Sequence, residues 1–257
     1  PSELAGILAE EPALTVWNEV SLKRVHPETA QPKRMLKEIL LEAAANEAES
    51  SQIILDSSEM LSIEKVSASV LKSAKGDILS ESCSTVEWLE PQEMSNVYTA
   101  QGLSGQIPDQ LLPVKTPRQM QKNRQIIWFT VKVPAGTPAG EYQGQLALAW
   151  RKQKGALQTS KLPIRLKVWN FELPDNPAYT FYGLLWSTPA EMRRNTLELA
   201  AKYRMSVTVF PGSNNDVRKA FDGKELQMPE FFDLAENAVK KLHFNYLALP
   251  YFFFGAW

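Results

Sequence analysis

Hydrophobic and polar residues alternate along much of the first two thirds of the chain. The clearest run covers residues 162–168, where apolar side chains at the even positions alternate with Lys161, Arg165 and Lys167. The same period of two recurs over 129–133, 142–150, Thr15–Val20, Gln52–Asp56, Leu61–Leu71 and Thr85–Leu89. This period is typical of strands with one buried and one solvated face. Many short strands separated by turns predict an antiparallel β-sandwich.

The strand-rich region has two boundaries in the sequence. Residues 1–14 show no clear period, so we interpret them as a poorly ordered lead-in to a sandwich over residues 15–172. Pro174 and Pro177 follow closely on one another. Prolines this close together favour a connection without regular structure, and the sequence therefore predicts a linker over residues 173–178.

Strands and helices alternate after the linker. The apolar run Tyr179–Trp186 predicts a strand covered on both faces. Thr188 as N-cap, Pro189 at the first helical position and Glu191 three residues after the cap predict the start of a helix. We expect Met192, Leu199 and Tyr203 to share the buried face of that helix.

The alternation continues to the end of the chain. It predicts a strand over Met205–Pro211, a helix over Pro229–Leu242 and a third strand over Phe244–Pro250. Successive strand–helix–strand units indicate a parallel sheet, so we expect residues 179–257 to be the first part of a (β/α) barrel of the TIM type. Three strands are too few to close such a barrel. We therefore expect the remainder of the barrel beyond Trp257, where it would cover the aromatic run that starts at Tyr251.

Composition and charge exclude several classes of function. The net charge of −1 gives no global attraction to nucleic acid, and no apolar run is long enough to span a bilayer. Cys83 is the only cysteine and is expected to be a small hydrophobic residue, while His26 and His243 are expected at a loop and a helix end. No metal-ligand spacing, glycine-rich phosphate loop or dinucleotide fingerprint is present. The sequence predicts no metal and no cofactor.

Four segments, taken together in their order and spacing, resemble one known family. They are Ala45–Gln52 (ANEAESSQ), Ile107–Pro113 (IPDQLLP), Trp128–Gly144 (WFTVKVPAGTPAGEYQG, expected as a hairpin) and Leu162–Pro174 (LPIRLKVWNFELP). This series is similar to the N-terminal sandwich domain that precedes the barrel in glycoside hydrolase family 123. Lys202–Met205 and the pair Phe232-Asp233 resemble the family in the barrel part. Ala48 and Ser51 depart from the larger residues usual in the first segment.

The resemblance implies a retaining β-N-acetylhexosaminidase, specifically one resembling N-acetylgalactosaminidases, that acts on a glycan containing N-acetylhexosamine and is secreted or periplasmic. Such enzymes use the acetamido group of the substrate as nucleophile, with an adjacent Asp-Glu pair as orienting group and acid. No Asp-Glu dipeptide occurs in this sequence, so we expect the catalytic pair beyond Trp257 and this chain alone to be inactive. The carboxylates of the predicted sandwich are expected to be structural, and Asp233 and Glu236 to lie on a solvated helix face.

The carboxyl ends of the barrel strands provide the candidate binding residues. They are Trp186 after the first strand, Asn214 and Asn215 after the second, and Tyr251 and Trp257 after the third. Aromatic rings stack on sugar faces and amides bind hydroxyl groups. Two other hypotheses remain open: a non-catalytic carbohydrate-binding or surface protein on the same scaffold, and a glycosidase for a different sugar.

Overall fold

A computed structural model describes residues 2–94, 105–120, 123–175, 182–185, 188–209, 224–225 and 227–247. The chain divides into two compact units, Pro1–Leu173 and Pro174–Trp257. The division falls inside the segment 173–178, where the sequence predicts a linker. Within the described part of the chain, no helix is long and apolar enough to cross a membrane.

The first unit is built from strands and two short 3₁₀ turns, Ser2–Leu4 and Glu81–Cys83. Its strands are β1 Gly6–Glu11, β2 Leu14–Val20, β3 Ile39–Ala45, β4 Glu47–Asp56, β5 Leu61–Ala68, β6 Leu71–Ser73, β7 Ile78–Leu79, β8 Ser84–Met94, β9 Gly105–Pro113, β10 Arg118–Gln119, β11 Arg124–Val133, β12 Gly140–Lys152 and β13 Gln158–Glu172. The predicted strand character of this region is therefore confirmed.

These strands form two sheets. The first has the order β1-β2-β4-β11-β8-β9, and each neighbouring pair in it is antiparallel. The second has the order β10-β5-β12-β13-β3, with β6 paired to β12 and to β7. One pair departs from the predicted antiparallel arrangement, because β3 runs parallel to β13, with Ile39 beside Ile164. The chain reaches β3 from β2 of the first sheet. A strand that enters a sheet from another sheet can run parallel or antiparallel to its new neighbour.

The main core contains residues of both sheets. Tyr142 and Leu146 of β12 and Phe129 of β11 are fully buried in it, together with Ile53 and Leu55 of β4. Residues two apart along a strand share a face, so period two in the sequence becomes one apolar face per strand. Burial of that face is the main stabilising contribution to such a fold.

A smaller cluster lies on the opposite face of the first sheet. Ile54 lies between two residues of the main core, and successive side chains of a strand project to opposite faces. Ile54 packs there with Trp17, Leu89 and Ile126, and Val25, from the segment between β2 and β3, is also buried in the cluster. The segment after β2 therefore contributes to covering this face.

The predicted lead-in is wrong, because Gly6–Glu11 forms the edge strand β1. Asn18, which is fully buried, explains how the segment is held. Its side chain accepts a hydrogen bond from the Gly6 N–H at 3.1 Å and donates one to the Leu4 carbonyl at 2.7 Å. These bonds come from a residue of β2, so the sequence of the lead-in alone carried no sign of them.

The predicted hairpin over Trp128–Gly144 is also wrong. β11 pairs with β4 and β8 in the first sheet, whereas β12 pairs with β5, β6 and β13 in the second. The connection Pro134–Ala139 therefore crosses from one sheet to the other. Turn residues between two strands are compatible with either connection, and only the pairing partners distinguish them.

The second unit contains a parallel strand pair and two helices among the residues described. The elements are β14 Tyr182–Leu185, α1 Ala190–Lys202, β15 Ser206–Val209 and α2 Pro229–Lys240. β14 and β15 are parallel, with Tyr182 beside Ser206. This confirms the predicted strand–helix–strand unit, while the barrel itself stays a prediction.

Three details of the second unit differ from the sequence prediction. Helix α1 begins at Ala190 with Pro189 as N-cap and no side-chain cap, so the predicted capping box is not formed. Its buried residues are Leu197 and Ala200. The residues predicted to be buried are exposed instead: Met192, Leu199 and Tyr203. Residues 244–247 are not in a strand, although the remainder of the predicted third strand, 248–250, lies outside the described residues.

Candidate functional site

The carboxyl edge of the parallel pair is where the sequence predicts a sugar-binding site. Leu185 of β14 is paired with Val209 of β15, so both strands end at the same edge. Active sites of (β/α) barrels lie at this edge. The predicted binding residues all lie outside the described residues and stay predictions: Trp186, Asn214, Asn215, Tyr251 and Trp257.

Arg193 contacts the backbone at Thr188, just before α1. Its Nε donates to the Thr188 carbonyl at 3.1 Å, and its Nη1 lies 2.5 Å from a carboxylate oxygen of Glu230. The Arg193 side chain is mostly buried, and Glu230 is in the first turn of α2. One guanidinium thus links the backbone before α1 to the first turn of α2.

Most polar residues of the predicted sandwich motifs have structural partners. Glu47 accepts a hydrogen bond from the Ala44 N–H at 2.6 Å, and the Gln52 amide donates to the carbonyls of Val20 and Lys23. Asp109 is exposed on β9, and Glu141 is exposed 3.8 Å from a guanidinium nitrogen of Arg165. These contacts support the predicted structural roles.

Glu49 is the sandwich carboxylate with the most unusual environment. Burial raises the pKa of its carboxyl group above the ordinary value, opposed by a hydrogen bond from the Ser50 backbone, and the charge of Glu47 raises it further. A carboxylate whose ionised form is disfavoured is sometimes a functional group. Here the residue is half-buried on β4, with no cluster of catalytic side chains described around it, so we assign the shift to folding and not to catalysis.

Replacing Glu49 with glutamine should reduce the loss of folding stability that accompanies rising pH. The pKa of Glu49 is raised in the folded protein. Its contribution to folding stability is therefore fully present below the unfolded pKa and is lost as pH rises through the folded pKa. We therefore expect Glu49→Gln to be more stable than the parent at pH 7, and this gain to disappear near pH 3. Urea unfolding at both pH values measures it, with Glu141→Gln as the exposed control. An equal gain at both pH values would contradict this assignment.

The charged residues of α2 lie on its solvated face. Asp233 and Glu236 are largely exposed and form ion pairs with Arg194 at 2.8 Å and Lys240 at 2.6 Å. This agrees with the sequence interpretation of these two carboxylates. In the part of the chain that the structure describes, no group of three His, Cys, Asp or Glu side chains is arranged to hold a metal ion.

A polar network of the first unit, centred on Asp56, has no sign in the local sequence patterns. Asp56 on β4 accepts two hydrogen bonds from Arg124 on β11, at 2.6 and 2.8 Å, and one each from Trp17 and Gln31 at 2.8 Å. Arg124 and Asp56 are directly opposite in the strand register. Opposite charges on facing positions of neighbouring strands often form ion pairs. The sequence would have indicated the Arg124–Asp56 pair only if β4 and β11 had been known to be neighbours.

The family is decided by a sequence-family comparison. The model of the glycoside hydrolase 123 N-terminal domain matches residues 18–149, slightly more than half of the 257-residue chain. The chain belongs to glycoside hydrolase family 123. The family 123 match covers most of the first unit, including the crossing from β11 to β12, and it confirms the resemblance inferred from the motifs.

Solved structures add the fold relationship. A family 123 glycoside hydrolase from Clostridium perfringens, studied for glycolipid glycan hydrolysis, is 18% identical with a TM-score of 0.51. The match covers 66% of this chain and 28% of that one, so this chain spans well under half the length of that enzyme. The PapD-like domain 7 of human CEP192 also matches, at 13% identity over 61% of this chain and 99% of that chain, with a TM-score of 0.32. No functionally curated protein matches the sequence significantly.

Proposed function

We propose that this family 123 chain is the front portion of a retaining β-N-acetylhexosaminidase that acts on a glycan outside the cytoplasm. The match to the family 123 N-terminal domain over residues 18–149 carries the proposal. The parallel unit β14–α1–β15 supports it, because it is the repeating unit of a (β/α) barrel. In this proposal residues 179–257 begin the catalytic barrel and the remaining strands follow Trp257.

The proposed reaction is substrate-assisted. The acetamido oxygen of the bound sugar attacks the anomeric carbon while a glutamic acid protonates the leaving oxygen, and an aspartate orients the acetamido group. Water then attacks the anomeric carbon from the face that the leaving group occupied, with the glutamate now acting as base, and the bond between the anomeric carbon and the acetamido oxygen breaks. The acid must stay protonated near neutral pH, which requires a partly desolvated site.

This chain supplies binding groups in the proposal and no complete catalytic pair. Its sequence contains no adjacent Asp-Glu pair. Trp186, Asn214 and Asn215 are proposed to contact the sugar from the first two strand ends, with Tyr251 and Trp257 after the third. Binding energy from such contacts does not accelerate bond cleavage without a positioned acid.

A turnover assay tests the proposal. We expect the 257-residue chain to release no aryl alcohol from an aryl β-N-acetylgalactosaminide, because it lacks the acid and orienting carboxylates. The product of the complete reading frame should hydrolyse the same substrate with retention of anomeric configuration. Turnover by the 257-residue chain, lost on replacement of Glu225, would refute the assignment of the chemistry to later strands.

The same assay distinguishes the alternatives. A complete protein that binds the glycan but turns over no aryl N-acetylhexosaminide or hexoside would support a carbohydrate-binding protein instead. Turnover of a neutral aryl hexoside alone would support a different sugar specificity. The proposed secreted or periplasmic location predicts an export signal in the precursor, and fractionation of the source cells checks it.

A further inference from the structure

The second sheet has a bulge near the end of β13, where the pairing with β3 is interrupted. Val168 is opposite Ala43 on β3, and the next paired residue of β13 is Glu172, opposite Ala45. Residues 169–171 therefore lie against the single residue Ala44. On the other side of β13, the ladder with β12 stops at Val168. Bulges of this kind re-aim side chains and are frequent beside functional sites.

The bulge presents two aromatic side chains to solvent. Trp169 is 39% exposed and Phe171 is 58% exposed, and Asn170 between them is exposed as well. Aromatic residues bury large areas when they find partners, so exposing both on one short segment removes stability that burial would provide. The spacing of a strand places their backbones at most about 7 Å apart.

The neighbouring contacts hold this segment in place. The ammonium group of Lys167 lies 3.5 Å from the centroid of the Trp169 ring, a favourable cation–π distance. At the end of the bulge, Glu172 accepts a hydrogen bond from the Gly136 N–H at 2.6 Å, and the Leu173 N–H donates to the Ala45 carbonyl at 2.9 Å. A ring held before binding loses less entropy when a ligand arrives.

The charges around the bulge favour a neutral ligand. Lys167 is opposite Glu141 of β12 on one side and Glu42 of β3 on the other. Both glutamates are exposed. Arg165, two residues before Lys167, is likewise matched by Glu38 at 2.8 Å and Glu141 at 3.8 Å. Cations balanced by carboxylates give no positive patch, which nucleic acid or an anionic membrane would require. An aromatic face beside an ammonium group matches a sugar, which has apolar C–H faces and hydroxyl groups.

We propose that the β13 bulge, Lys167–Phe171, is a glycan-binding surface on the sandwich that contacts pyranose rings through Trp169 and Phe171. Lys167 donates hydrogen bonds to sugar hydroxyls. This inference rests on the proposed carbohydrate-directed function but concerns residues outside the proposed catalytic edge. The surface increases the local concentration of a polymeric substrate without taking part in bond cleavage.

The test is ¹⁹F NMR on the 257-residue chain labelled with 5-fluorotryptophan. The chain has seven tryptophans, and Trp169→Phe assigns the resonance of interest. Titration with a soluble oligosaccharide ending in β-linked N-acetylgalactosamine should shift the Trp169 signal with a Kd of about 1 mM. Phe171→Ala should weaken this binding about fivefold. Phe232→Ala, which removes an aromatic ring 50% exposed on α2, should leave it unchanged.

Other outcomes overturn the inference. No shift of the Trp169 signal at about 10 mM oligosaccharide, roughly ten times the expected Kd, would refute it, as would equal binding by Phe171→Ala. A Trp169 resonance insensitive to a soluble paramagnetic quencher in the complete protein would show that another part of the molecule covers the surface. Turnover by the complete protein is measured separately. Absent binding with intact turnover contradicts the bulge alone, while absent turnover contradicts the proposed function.

Discussion

Replacing Arg124 with methionine should lower the free energy of unfolding of the first unit by about 3 kcal/mol. The Arg124 and Asp56 side chains are both largely buried and form a two-bond ion pair. Removing the guanidinium leaves the largely buried Asp56 carboxylate without its charge partner. A broken buried pair is costly because the remaining charge stays desolvated.

Arg124 also holds the segment between β2 and β3. Its Nη1 donates to the carbonyls of His26, Pro27 and Thr29 at 2.8, 3.2 and 2.9 Å. The guanidinium also lies 5.3 Å from the centre of the Trp17 ring. We therefore expect the amides of His26 and Thr29, both hydrogen-bonded within this segment, to lose exchange protection in Arg124→Met before the rest of the unit unfolds.

Urea unfolding and hydrogen exchange measure these effects. Arg124→Lys is the matched control, because an ammonium group keeps the charge and donates hydrogen bonds but lacks the bidentate geometry. We expect Lys to recover part of the stability. Arg151→Met, which removes a more exposed partner of Glu64 at 2.9 Å, should cost less than about 1 kcal/mol. Similar losses in Arg124→Met and Arg151→Met would contradict the assigned role.

Replacing Gly144 with alanine should destabilise the sandwich by about 1–3 kcal/mol. A Cβ at this position of β12 would lie 2.5 Å from a methyl carbon of Leu71 and 2.8 Å from the Val70 carbonyl oxygen. The methyl group can rotate away, but the carbonyl belongs to the backbone where β5 passes into β6. Relief therefore requires a shift of the chain, which the well-packed sheet resists.

Gly155→Ala is the control for this second effect. It lies in the turn between β12 and β13, and its added Cβ would meet the Lys152 side chain at 3.2 Å. We expect a change within about 0.5 kcal/mol there. Thermal unfolding followed by far-UV circular dichroism compares the two variants with the parent. A Gly144→Ala protein as stable as Gly155→Ala would show that the Val70 backbone moves freely.

The two helices illustrate when sequence periodicity identifies a buried face. In α2 the apolar residues Phe231, Leu234 and Ala238, which recur at helical spacing, are buried. In α1 the predicted buried face is wrong, since Leu197 and Ala200 are buried while Leu199 is exposed. In α1 the apolar residues are spread over more than one face, so local spacing allows two answers. Contacts with Val207 of β15 and Leu234 of α2 decide between them.

For the candidate site too, the sequence predicts local elements but not the positions of side chains. Trp186 and the asparagines 214–215 were predicted from their place after strand segments, and confirmation of β14 and β15 supports the edge but not the side chains. The sequence shows a change of phase after Val168, because Trp169 and Phe171 are apolar and Asn170 is polar, but it does not show that these residues form a bulge. Only the register against β3 shows that they leave the ladder.

The sequence by itself determined the strand content of the first unit, the βαβ character of the second and membership of family 123, because alternation and motif spacing are local properties of the chain. The tertiary structure alone decided which strands are neighbours. It assigned β11 and β12 to different sheets, aligned β3 parallel to β13 and brought Asp56 to Arg124 across 68 positions of the chain. Such pairings are selected by the combined burial and hydrogen bonding of distant segments, which no single stretch of sequence contains.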